Sequence, residues 1–103
     1  MTRAARPKET DLYGPVKALL AGQGYDVKSE IGAADVFAVR GSEPPVIVEL
    51  KAGFSLSLFH QAVTRLAVTD LVYLAVPRPT GKTARRALKD NLALCRRLGL
   101  GLI

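Results

Sequence analysis

The chain has one cysteine, one histidine and no tryptophan in 103 residues. A lone Cys95 cannot close an internal disulfide. It falls in line with Leu88 and Leu92 at helical spacing, so packing is its expected job, in keeping with a reducing cytoplasm. With His60 as the lone imidazole, the chain is too poor in nitrogen and sulfur ligands for a zinc site. Any metal must then be held by oxygen, which points to magnesium or manganese. No apolar run approaches about 20 residues, so no membrane-spanning helix is expected. The opening Met-Thr-Arg-Ala-Ala-Arg-Pro-Lys is basic but lacks the apolar stretch of a secretory signal. Internal repeats and low-complexity segments are also missing.

What is present suits one folded unit. Hydrophobic residues make up 49% of the chain, which argues against disorder. The net charge is +6, and seven of the fifteen basic residues lie between Arg78 and Arg97. Such a patch fits a polyanion, and it equally fits an ordinary solvated helix face.

Periodicity and punctuation divide the chain into alternating elements. After a basic arm over residues 1–8, a first helix is expected from Glu9 to Gln23, with Leu12, Val16, Leu19 and Leu20 as its apolar stripe. Gly14-Pro15 predicts a kink or restart within it. Gly22 and Gly24 end the helix, and strands follow over 25–31 and 34–40. The turn signal Gly41-Ser42-Glu43-Pro44-Pro45 then folds the second strand back onto a third at 46–51, an antiparallel hairpin. Ser55 or Ser57 caps a helix to about Thr69 with Phe59, Val63 and Leu66 on its buried face. Asp70–Val76 reads as a strand buried on both faces. A basic helix over 83–98 and a last strand beginning near Gly99 complete the pattern. The run Leu-Gly-Leu-Gly-Leu-Ile at the end leads us to expect further sequence beyond Ile103.

Within this frame, Val46-Ile47-Val48-Glu49-Leu50-Lys51 stands out. Alternation puts Val46, Val48 and Leu50 on one face and Ile47, Glu49 and Lys51 on the other. A charge in so apolar a strand is costly unless something needs it. Metal-dependent phosphodiester cleavage wants this pair: the carboxylate holds a hard cation, and the ammonium handles the water or the developing charge. A plain Glu–Lys pair where a strand meets solvent is the alternative. If the turn centres on Ser42 or Glu43, Asp35 opposes Glu49 or Lys51 and shares their face. A one-residue slip flips Asp35 to the other face, and the sequence leaves both registers open. Glu9 falls on the core-facing stripe of the first helix. Gln61 and Arg65, four residues apart on the next helix, form a polar stripe that could orient a water, a phosphate or Lys51.

A helix with Glu9, a strand with Asp35, Glu49-Leu50-Lys51 on the next strand and a helix with Gln61 and Arg65 together resemble the PD-(D/E)xK phosphodiesterase superfamily. The phrases Glu-Thr-Asp-Leu-Tyr, Gly-Ala-Ala-Asp-Val and Phe-His-Gln-Ala-Val extend the resemblance, from Glu9 to Pro77, to a bacterial family of unknown function described as PD-(D/E)xK-type phosphodiesterases. The resemblance implies a restriction-endonuclease-like α/β fold, a mixed sheet flanked by helices with the core order α-β-β-β-α-β and then a further helix and strand. It implies a magnesium- or manganese-dependent nuclease. Asp35, Glu49 and Glu9 would hold the metal, Lys51 would be the catalytic lysine, and Gln61 an accessory catalytic residue. Arg65, Arg78, Lys82, Arg85, Arg86 and Lys89 would contact nucleic acid, DNA ranking ahead of RNA, in a cytoplasmic protein that could act as a homodimer. One departure is that Ala34, not proline, precedes Asp35.

Two other matches carry less. Pro79-Thr80-Gly81-Lys82-Thr83 echoes the end of a phosphate-binding loop, but Val76 stands where the pattern needs glycine. His60, beside Gln61, could shuttle protons, although a lone helix histidine more often packs or faces solvent. The rival readings are a nucleic-acid-binding module that keeps the fold without the chemistry, and a protein-interaction domain using the basic helix against an acidic partner.

Overall fold

The computed structural model describes residues 9–29, 35–78 and 81–103, with the side chains of residues 9–11, 29 and 35 outside that description. The basic arm over residues 1–8, the strand ends at 30–31 and 34, and Pro79-Thr80 therefore lie outside the described residues. The elements run α1 (Glu9–Gly22), β1 (Asp26–Ser29), β2 (Asp35–Val39), β3 (Val46–Leu50), α2 (Leu56–Arg65), β4 (Leu71–Ala75), α3 (Lys82–Leu98) and β5 (Gly101–Leu102). This is the expected α-β-β-β-α-β-α-β order, a mixed α/β architecture.

The five strands form one sheet in the order β1-β2-β3-β4-β5. β1, β2 and β3 pair antiparallel, whereas β3–β4 and β4–β5 pair parallel. Parallel neighbours need crossovers, and α2 and α3 supply them. Val46, Val48 and Leu50 pack with Val36, Ala38 and the α1 residues Val16 and Leu20 on one face. On the other face, Val72 and Leu74 of β4 pack with Leu58, Phe59 and Ala62 of α2 and Cys95 of α3. The central strand β3 is buried at every position.

Local chemistry sets the helix ends. α1 closes in a Schellman motif: Gly24 takes φ +88°, its N–H donates to the Ala21 carbonyl, and the Tyr25 N–H donates to that of Leu20. Tyr25 and Leu20 meet in the same cluster. α3 ends likewise, with Gly99 at φ +75° and the Leu100 N–H donating to the Cys95 carbonyl at 2.8 Å. Ser55, not Ser57, caps α2, its Oγ accepting from the Leu58 N–H at 3.1 Å. Just before it, the Phe54 ring stacks on Phe59 with centroids 6.0 Å apart, a hydrophobic staple across the first turn.

Five expectations need correction. α1 is one helix from Glu9 to Gly22 with Pro15 inside it, so the chain does not restart there. Leu19 is 44% exposed, and Tyr13 joins Leu12, Val16 and Leu20 against the sheet instead. α2 ends at Arg65, where i+3 bonds from Leu66, Ala67 and Val68 tighten the chain into a turn. Val63 is 43% exposed, since the staple and the fully buried Ala62 rotate α2 toward Leu58 and Phe59. In β4, Leu71 and Tyr73 are half-buried, so burial is complete on one face only. No described helix is long and apolar enough to cross a membrane.

Candidate active site at the carboxyl edge of the sheet

The structure resolves the register that the sequence left open, with the β2–β3 turn centred on Ser42. Arg40 and Gly41, at φ +56°, lead into a turn closed by the Glu43 N–H donating to the Arg40 carbonyl. The Arg40 guanidinium pairs with Glu43, donates to the Gln23 carbonyl at 2.7 Å and lies 4.4 Å over the Tyr25 ring. This clamp ties the turn to the end of α1. Its hydrogen bond pulls the Glu43 carboxyl below the ordinary glutamate value. Pairing then runs Asp35↔Glu49, Val36↔Val48, Phe37↔Ile47 and Ala38↔Val46. Asp35 and Glu49 thus occupy directly opposed positions, which share one sheet face.

That face is the α2 side, because the alternate residues Val36, Ala38, Val48 and Leu50 all pack toward α1. Glu49 is 1% exposed, among the most buried residues of the chain. Its Oε1 accepts a hydrogen bond from Arg65 Nε at 2.8 Å. Arg65, the last residue of α2, keeps a side chain 40% exposed, so the guanidinium bridges a buried carboxylate and solvent. Lys51 lies just past β3, yet its N–H donates to the Ala75 carbonyl at 3.1 Å. The β3–β4 ladder is therefore extended by one residue, and half-buried Lys51 stays in phase with Glu49.

These groups gather at one edge. β3 and β4 are parallel, so their carboxyl ends lie together, and antiparallel β2 brings its first residue, Asp35, to the same edge. The chain leaves β4 there through Val76, Pro77 and Arg78 and enters α3 at Lys82. In open α/β sheets this carboxyl edge is the usual ligand crevice.

The other candidates are spread more widely. Glu9 opens α1, which covers the opposite sheet face, and its side chain lies outside the described residues. The Asp35 side chain does too, so among the described side chains no group of three or more His, Cys, Asp or Glu stands together. Gln61 and His60 are exposed on α2. Arg78 is exposed and borders an apolar groove of about 370 Å³ with Leu88, Leu92, Leu102 and Ile103. Lys82, Arg85, Arg86, Lys89, Arg96 and Arg97 are all exposed. At 100° per residue they fall within an arc of about 120°, a cationic ridge about 22 Å long. Ala93 is the remaining residue of that arc, and Cys95 packs on the far side of the helix.

The groups at this edge that could hold a metal are oxygen donors. Glu49, with Asp35 as its register partner, offers carboxylate oxygen, the ligand type of magnesium and manganese. Cys95 is buried in the α3 cluster, where desolvation pushes its thiol above the ordinary value and away from the metal-binding thiolate. The contact that the sequence reading missed is Arg65 on Glu49. Its one signal was the position of Arg65 at the end of the helix that follows Glu49. No family model, curated protein or solved structure matches this chain.

Proposed function

We propose that this protein is a divalent-metal-dependent phosphodiester hydrolase acting on nucleic acid, on a restriction-endonuclease-like variant of its mixed α/β fold. The observation that carries the reading is a carboxylate buried to 1% exposure on the central strand, directly across the ladder from Asp35 and two residues before Lys51. A buried acid costs several kcal/mol unless it is compensated, and stability alone seldom favours one over an apolar residue of similar volume. A site that needs negative charge explains its presence.

Asp35 and Glu49 would hold magnesium or manganese, with Glu9 as a further ligand. When bound, the metal would supply Lewis acidity to the phosphate and lower the pKa of a water. Lys51 would orient that water and stabilise charge developing on the phosphoryl oxygens as the bond to the leaving sugar oxygen breaks. Gln61, exposed on α2, would be an accessory residue that aligns water or phosphate. The α3 ridge, together with Arg78, would track backbone phosphates, DNA ahead of RNA, and release counterions on binding. All six ridge side chains are lysine or arginine, which would meet backbone phosphates as cations.

The Arg65–Glu49 pair favours one rival, a binding module in which the carboxylate only clamps α2 to β3. Cleavage decides between them. Incubation with supercoiled plasmid and with single-stranded oligonucleotides should give products in magnesium or manganese, none in a chelator, and none with Glu49→Gln. Binding without cleavage under every cation would favour the module. No binding at low salt would favour a protein partner for α3.

A further inference from the structure

Arg65 occupies the position that a cation would want. A carboxylate as buried as Glu49 needs a positive partner, and the guanidinium provides one from 2.8 Å. We infer that Arg65 is the resident counter-ion of Glu49, and that it withdraws from the carboxylate when a divalent cation binds. This rests on the metal-site reading proposed above.

The geometry leaves room for withdrawal, and the incoming cation would replace the positive charge that Glu49 loses. Arg65 is the final residue of α2, and its side chain is already 40% exposed, so it can swing fully into water. The end of the helix does not depend on that side chain. The Arg65 carbonyl accepts from the Val68 N–H at 2.9 Å and the Thr69 N–H at 3.3 Å, and Thr69 is anchored through its hydroxyl to the Pro45 carbonyl at 2.7 Å. The guanidinium can therefore leave while the backbone stays put. It cannot comfortably remain, because a divalent ion on Glu49 would set two positive centres within a few ångströms of one another.

Exchange has a regulatory consequence. While Arg65 holds Glu49, the cation sees only the fraction of molecules in which it has let go, and its apparent affinity falls by that fraction. Once released, the guanidinium would take a substrate phosphate as its partner. By reciprocity, a polyanion that captures Arg65 tightens cation binding. The site would load its metal best when substrate is present.

The test uses calcium, which binds such oxygen sites, titrated calorimetrically into the wild type, Arg65→Met and Glu49→Gln. Exchange predicts binding to the wild type, loss of that binding in Glu49→Gln, and affinity about tenfold tighter in Arg65→Met, as for a carboxylate engaged nine-tenths of the time. Calcium should also raise the unfolding temperature of Arg65→Met by more than that of the wild type, which a merely structural arginine would not produce. Equal or weaker calcium binding by Arg65→Met, with Glu49-dependent binding intact in the wild type, overturns the exchange and leaves the metal site standing. No calcium binding by any of the three proteins overturns both. If Arg65→Met fails to fold, the wild type still decides the matter. The Arg65 Nε–H resonance should move on calcium saturation as its carboxylate bond is lost, and an unmoved resonance refutes the exchange.

Discussion

Replacing Lys51 by methionine separates the chemistry of the carboxyl edge from its architecture. Lys51 contributes to the fold through its backbone, whose N–H donates to the Ala75 carbonyl, and a side-chain change leaves that bond in place. The side chain is half-buried, and methionine keeps much of the same aliphatic length. What disappears is one partly solvated ammonium and its charge interactions, a loss of no more than about 1 kcal/mol at such exposure. Catalysis should suffer far more. Losing a group that orients water or stabilises a phosphoryl oxygen costs at least about a hundredfold, which is about 2.7 kcal/mol on the barrier. Urea unfolding measures the first quantity. Initial rates of oligonucleotide cleavage in magnesium or manganese measure the second, and fluorescence anisotropy in a chelator measures binding, which should change much less than cleavage. Collapse of the fold in Lys51→Met would make the lysine a structural partner at the edge of β3. Full cleavage by a stable variant would remove it from the mechanism.

Charge reversal of Arg85, Arg86 and Lys89 should weaken nucleic-acid binding across all sequences and flatten its dependence on salt, by about one phosphate contact per residue that touches the backbone. An unchanged salt slope would reduce the α3 ridge to a solvated face. In β5, a Cβ on Gly101 would overlap the ring of Tyr73, its partner in the parallel ladder. Gly101→Ala should therefore cost about 1–3 kcal/mol in urea unfolding, and a neutral result would mean that β5 frays without consequence. Burial holds the Cys95 thiol above its ordinary value. Above about pH 8.5 the unfolded thiol ionises while the folded one stays neutral, so stability should fall as pH rises until the folded thiol also ionises. Urea midpoints from pH 7 to 10 should show that decline, and Cys95→Ala should lose that part of it.

Much of the architecture follows from local rules that operate within a few residues. Glycines at 24 and 99 stop helices because the chain needs positive φ there. The Phe54-Ser55 pair starts α2 by staple and cap, and the short apolar runs at 46–50 and 71–75, bounded by turn residues, read as strands of a covered sheet. Those rules suffice for the order of elements and for the hairpin that joins Asp35 to Glu49. They do not settle its register. A slip of one residue costs nothing locally and flips every side chain, and it took the burial of Val36, Ala38, Val48 and Leu50 against α1 to select one register.

The azimuth of a helix is likewise a tertiary matter. Leu19 and Val63 satisfy the 3.6-residue period as well as Tyr13 and Ala62 do, but packing on a twisted sheet admits only one rotation of each helix. The partner of Glu49 is the clearest case. A carboxylate in an apolar strand announces a need for positive charge, and that much is written in residues 46–51. That Arg65, sixteen positions later, meets it depends on where α2 ends over β3, and such a contact exists only once the crossover has closed onto the sheet.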